Sequence, residues 1–242
     1  MNSIEIINLT KCYRDTVAVD SLSLNVEEGE LLSLLGVNGA GKTTTVKMLS
    51  CLTRPTSGEA LILGKSVTRE SEDVKQFIAV SPQETAVAPG LSVRENLELI
   101  CGVHGYCKDK SERKIRELSE HLGLNSVMNK RAGKLSGGWQ RRLSIAMALI
   151  SEPKILFLDE PTLGLDVIAR SDLWELIRSL KGKTTVILTT HYMEEADALS
   201  DRVAIMKDGK LIICDTAENI KRKACAESFE EAFIRIVKGE RG

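Results

Sequence analysis

Hydrophobic and polar residues alternate along Ile4–Leu9 and again along Val17–Val26, the period of strands with one face in a core and the other in water. Glu28-Gly29 then turns the chain into a different pattern. Leu31 to Leu35 is nearly continuous in apolar residues, as a strand buried on both faces is, and Lys42 to Leu49 reads as a helix. Arg54-Pro55-Thr56-Ser57-Gly58 is a turn, and it predicts a second short strand pair, Glu59–Leu63 with Phe77–Ser81. From Ser92 to Ile150 the period becomes helical. Ser92 and Glu95 stand at capping-box spacing, and amphipathic stretches run from Lys110 to Leu122 and from Gln140 to Ile150. Strand and helix alternate again afterwards: Ile155–Leu158, Asp166–Leu180, Thr184–Leu188, Met193–Leu199 and Val203–Met206. That order predicts a parallel, doubly wound sheet. Asp208-Gly209 turns a closing hairpin, and Thr216–Val237 reads as polar helices.

The pattern thus predicts an α/β fold with a parallel-sheet core, an N-terminal antiparallel β-subdomain and a helical insertion. At 242 residues it expects one domain, with the helical part at about 84–152 and C-terminal helices at about 216–238. Lysine and arginine number 33 against 34 acidic residues, so a nucleic-acid-coating protein is not expected. No apolar run is long enough to span a membrane, and Met1–Thr10 lacks the apolar core of a signal peptide, which predicts a cytoplasmic chain unless a partner holds it at a membrane. The six cysteines include no C-x-x-C pair and read as reduced thiols. Cys101, His104 and Cys107 are spaced three apart, but a tetrahedral zinc site needs a fourth ligand and none is nearby in the chain.

The strand at Leu31 and the helix at Lys42 bracket Gly36-Val37-Asn38-Gly39-Ala40-Gly41-Lys42-Thr43, a G-x-x-x-x-G-K-[ST] sequence. Glycines there let backbone N–H groups crowd around phosphate oxygens, and the helix N-terminus adds a positive dipole end. Lys42 would reach the β- and γ-phosphates, and the Thr43 hydroxyl would hold Mg²⁺. Asp159 and Glu160 close a buried strand at the sheet edge where α/β proteins bind ligands. Asp159 would hold Mg²⁺ through water, and Glu160 would polarise the attacking water. Leu135-Ser136-Gly137-Gly138, standing before a helix that carries Arg141 and Arg142, has the hydroxyl, glycines and helix N-terminus of a second anion site.

These motifs, in this order from Tyr13 to about Gly209, resemble the nucleotide-binding subunit of an ATP-binding-cassette (ABC) transporter, a P-loop NTPase with a RecA-like core. The resemblance implies ATP and Mg²⁺ as cofactors. It makes Gly36 to Thr44 the Walker A loop, with Asn38, Gly39, Ala40, Gly41 and Thr44 among the phosphate contacts, and has Tyr13 stacking on adenine. Gln83 would sense Mg²⁺ and water, Leu135–Gly138 would be the signature motif, Asp166 would fall in the D-loop, and His191 would be the switch histidine. The signature departs from the family's usual form at Trp139, where Gln is expected. The family's mechanism joins two cassettes head to tail, so the expected partners are a second copy of the chain and a separate transmembrane permease. The expected place is the cytoplasmic face of the cell membrane, and the run from Pro161 to Asp166, Trp139 and His191–Asp197 are together most similar to exporters of the ABC-2, drug-resistance type. Two other readings stay open at this point. One is a soluble cassette ATPase of iron–sulfur assembly or another non-transport process, and the other is a regulatory subunit that does not hydrolyse ATP.

Overall fold

Two β-sheets carry the chain, and the parity of their buried side chains explains how they stack. In the computed structural model, which describes residues 1–239, β1 (Asn2–Tyr13) and β2 (Thr16–Glu27) form a long antiparallel hairpin. Leu22, Leu24 and Val26 are buried while Ser21, Ser23 and Asn25 between them are exposed, the one-sided burial that period-two patterning requires. Asn8 and Ser21 have positive φ, and the hairpin register shifts at both places. β3 (Leu31–Leu35), buried at every position, leads into α1 (Lys42–Leu49). β4 (Ser57–Ile62) returns to pair with β1, and β5 (Lys65–Ser66) completes a four-stranded antiparallel sheet in the order β2-β1-β4-β5.

After α2 (Ser71–Lys75), β6 (Ile78–Ser81) joins the other sheet. The expected pairing of Glu59–Leu63 with Phe77–Ser81 is therefore wrong: β4 pairs with β1 and β5, and β6 lies parallel to β7 (Ile155–Asp159). A short apolar run carries no information about its partner, because side-chain period is the same in parallel and antiparallel pairs. The helical region between them holds α3 (Val93–Val103), α4 (Lys108–His121), two 3₁₀ turns at Leu124–Val127 and Ala132–Lys134, and α5 (Gly137–Leu149). Its capping box forms: Ser92 Oγ accepts from Glu95 N at 3.2 Å and the Glu95 carboxylate accepts from Ser92 N at 2.7 Å.

The alternating part follows as α6 (Val167–Leu180), β8 (Thr185–Thr190), α7 (Met193–Leu199), β9 (Arg202–Lys207), β10 (Lys210–Asp215), α8 (Ala217–Lys223) and α9 (Phe229–Lys238). The second sheet runs β10-β9-β3-β8-β7-β6, parallel except for the β9–β10 hairpin. Alternate residues of β7 feed different cores. Ile155 and Phe157 pack with Ile4, Leu9 and Met48 between the sheets, whereas Leu156 and Leu158 pack with Leu97, Ile115 and Leu143 of the helical region. The C-terminal helices are not simply polar, as the sequence pattern suggests. Phe229, Ala232 and Phe233 of α9 bury against Leu35, Val203 and Ile205, an apolar stripe at helical spacing.

Candidate active site

The loop between β3 and α1 owes its shape to two close backbone approaches. A side chain at Gly41, where φ is +97°, would meet the Ala18 carbonyl oxygen at 2.5 Å, and one at Gly36 would meet that of Met206 at the same distance. The loop is thus pressed between the β1–β2 sheet and the β9–β10 hairpin, with the first N–H groups of α1 at its mouth. Lys42 is 6% exposed. Its ammonium donates to the carbonyls of Gly36 at 2.7 Å and Val37 at 3.3 Å and stands 3.4 Å from a Glu160 carboxylate oxygen.

Parallel pairing of β7 with β8 sets Asp159 opposite Thr189 and so delivers the acids to this loop. Asp159 Oδ1 accepts from the hydroxyls of Thr189 and, at 3.1 Å, Thr43. Hard oxygen donors gathered beside a phosphate-type loop are the set Mg²⁺ takes, so these residues fit that ion. Glu160 has a left-handed backbone, φ +48°, although it is neither glycine nor asparagine and Pro161 follows it. Such a conformation costs about 1–2 kcal/mol and here is held by Glu160 N donating to Thr189 O at 3.1 Å and Thr189 Oγ1 at 2.9 Å. The buried carboxylate is aimed by it: one oxygen faces Lys42, and the other lies 2.6 Å from Nδ1 of His191 at the end of β8.

A cleft of about 380 Å³ opens over this group. Among the predicted residues it collects Asn38, Gly39, Ala40, Gly41, Lys42, Thr43, Thr44, Gln83, Glu160, His191 and Tyr13. Tyr13, at the tip of the β1–β2 hairpin, is 44% exposed, and the Lys11 ammonium lies 4.9 Å from its ring centre. Gly36 lies buried behind the loop. Ser136, Gly137 and Gly138 do not join the cleft. Ser136 is the N-cap of α5 without using its side chain, and Ser136 and Gly138 border a separate hollow of about 140 Å³ with Trp139, Arg142 and Ala169. Asp166 is also outside, capping α6 by accepting from Ala169 N at 2.8 Å. Of the cysteine–histidine group, Cys101 is packed in the helical core, while His104 and Cys107 are exposed at the facing ends of α3 and α4.

Four features at this site escape a motif reading. Thr189 orients both acids, and only its register opposite Asp159 marks it. Ala18 supplies the wall against Gly41. Arg141 turns away from the Ser136 loop and is buried against the carbonyls of Pro82 and Gln83, while Arg142 donates to Leu122 O and stacks on Trp139 at 5.0 Å. Burial pulls the Arg141 guanidinium below its ordinary range, and Asp159 partly offsets this. Glu195 on α7 is fully buried, accepts from Trp174 Nε1 at 3.1 Å, and has one oxygen without a partner, as has the Thr162 hydroxyl. Burial raises its pKa, the nearby Glu160 charge adds to this, and the Trp174 donor opposes it.

Comparison with known proteins agrees with this geometry. The family model "ABC transporter" matches residues 19–163. The daunorubicin/doxorubicin resistance ATP-binding protein DrrA of Streptomyces peucetius is 41% identical over 90% of this chain and 67% of its own length. The phospholipid-transporting ATPase ABCA3 of Homo sapiens is 41% identical over 91% of this chain, which spans 13% of that larger protein. A solved structure, the dimeric post-hydrolysis state of the ATP-binding cassette MJ0796 bound to ADP and Pi, superposes with a TM-score of 0.78 at 27% identity, covering 88% of this chain and 98% of that one. Nothing in these likenesses supports iron–sulfur assembly. A phosphate-type loop, two acids and a histidine on one RecA-like sheet edge, within a matched cassette, place the chain in the ABC transporter family as an ATP-binding and ATP-hydrolysing subunit.

Proposed function

We propose that the chain is the ATPase of an ABC-2-type exporter, acting as a pair of copies beneath a separate membrane-spanning permease on the cytoplasmic face of the membrane. The name of its streptomycete relative, a drug-resistance ATP-binding protein, supports the exporter reading. No helix among the described residues is long and apolar enough to cross a membrane, which fits a path through the bilayer supplied outside them. The dimeric state of the solved cassette supports pairing. On this reading residues 1–242 act as one ATPase unit, and cargo contacts belong to the permease.

In the proposed site, Tyr13 stacks on adenine, and Gly36 to Thr44 cradle the phosphates with Lys42 as their counter-charge. Thr43, Asp159 and Gln83 hold Mg²⁺, which when bound neutralises charge on the phosphates. Glu160 takes a proton from the attacking water, and His191 fixes the carboxylate that does so. The Ser136–Gly138 loop and Asp166, which stand outside the cleft, serve the second copy's nucleotide. The Glu160–His191 contact at 2.6 Å, with Lys42 on the other carboxylate oxygen, carries the reading, because it points a buried base into a phosphate cleft. Glu160→Gln should therefore keep ATP binding, lose about 10²-fold or more of kcat, and accumulate as an ATP-bound dimer in size-exclusion light scattering. Wild-type turnover in that variant would remove Glu160 from the base role.

A further inference from the structure

The helix that begins at Ser136 is bolted to the Gln83 segment by a charge that meets no carboxylate. Arg141, 5% exposed, donates through one terminal nitrogen to the Pro82 carbonyl and through the other to the Gln83 carbonyl. No acidic group among the described residues lies within ion-pair distance of it, and the charge acting on it through space is that of Asp159. One turn further along α5, the Ser144 and Ser81 hydroxyls meet at 2.9 Å, also buried. Two polar ties thus hold α5 to Ser81–Gln83, the end of β6 that borders the cleft. Ala88 and Pro89, by contrast, are tied to the rest of the helical region: Ala88 exchanges hydrogen bonds with the Asn96 side chain, and Gly133 N donates to Pro89 O. Val87 packs on the helical core as well, and Glu84 to Ala86 lies between these anchored pieces as irregular chain.

A buried guanidinium is costly unless it is well hydrogen-bonded, and its planar fork fits two adjacent carbonyls where an ammonium does not. We infer that Arg141 is a positioning residue that makes the Gln83 main chain move with α5, so that engagement of the Ser136 loop is transmitted to Gln83 in the same chain's cleft. The flexible joint is then Glu84–Ala86, on the far side of Gln83. This rests on the proposed roles of Gln83 and Ser136 at nucleotide. A residue that only filled space would have no reason to place both of its donors on consecutive carbonyls of the segment that lines the cleft.

Arg141→Met keeps the stem and loses the fork, and Arg141→Lys keeps the charge with one compact donor group, which covers the case of a methionine variant that does not fold. The first readout is structural and uses nucleotide-free protein: cleavage by a glutamate-specific protease after Glu84, measured by mass spectrometry against cleavage after the exposed helical Glu72. Release of the clamp should raise the Glu84/Glu72 ratio about tenfold. The second readout separates kcat from ATP affinity measured without Mg²⁺. The variants should lose about tenfold in kcat with affinity unchanged, and their half-saturating Mg²⁺ should rise. An unchanged cleavage ratio, or kcat and affinity falling together with the folded fraction, would overturn the inference. A wild-type chain without ATPase activity would instead overturn the proposed function, and the cleavage ratio would still judge the clamp.

Discussion

Gly41 shows how much a single position carries, because two independent constraints meet there. Its φ of +97° is costly for any residue with a Cβ, about 1–2 kcal/mol, and an added Cβ would also stand 2.5 Å from the Ala18 carbonyl. Gly39 has φ +85° with open space around it, so alanine there meets only the first constraint. Gly41→Ala should therefore weaken ATP binding by calorimetry about tenfold or more, and Gly39→Ala should weaken it less. Gly41→Ala should also lower the melting temperature, at roughly 2–4 °C per kcal/mol for a chain of this size. Equal effects would mean that Ala18 yields and the sheet does not clamp the loop. The glycine pattern is legible in the chain because spacing alone defines it. Ala18 is not, since its part depends on a carbonyl oxygen and any residue has one.

Among the elements, α7 does more than follow His191 in the chain, and Glu195 reveals it. The side chain is fully buried, with Trp174 of α6 on one oxygen. The Thr162 hydroxyl and the second oxygen are both without partners. Burial raises its pKa above the ordinary carboxylate value, and Glu160 acts in the same direction. A folded pKa above the unfolded one means the folded state holds the extra proton. Stability is then fullest below the unfolded value near 4.5 and falls as pH rises through the folded pKa. Glu195→Gln carries no charge and can donate to Thr162. Melting temperatures measured against pH should put the variant above the wild type at pH 8, with the gap closing toward pH 4. A gap that stays constant with pH would show that folding leaves the pKa of this carboxyl unshifted. Element identity was largely readable from periodicity, and the capping box at Ser92 formed as its spacing predicts. What failed was pairing and covering: β6 joined β7 instead of β4, and α9 hid an apolar stripe in a segment that reads as polar. Both depend on contacts between distant parts of the chain, which local pattern does not encode.

At the level of the whole molecule, the two halves of the proposed site do not meet. Lys42 and Glu160 line the main cleft, whereas Ser136 borders a different hollow across from α6. The order of motifs made both halves legible in the sequence, but their separation is a matter of topology: α5 starts on the helical region while the phosphate loop sits between the sheets. A symmetric head-to-tail pair turns that separation into two composite sites, each with the loop of one copy and the Ser136 of the other. Complementation tests this directly. Lys42→Ala and Ser136→Arg should each abolish turnover as pure proteins. In a mixed dimer of the two, one site carries both lesions and the other carries neither. Random mixing at equal amounts makes half the dimers mixed, so activity should return to about one quarter of wild type if the sites fire independently, and to less if both must fire together. No recovery, with mixed dimers shown to be present by mass spectrometry, would mean either that each site is built within a single chain or that one intact site is silent alone. A covalently linked tandem carrying both lesions on one copy then separates these cases: chain-autonomous sites leave the intact copy active, and composite sites leave one lesion in each site and no activity.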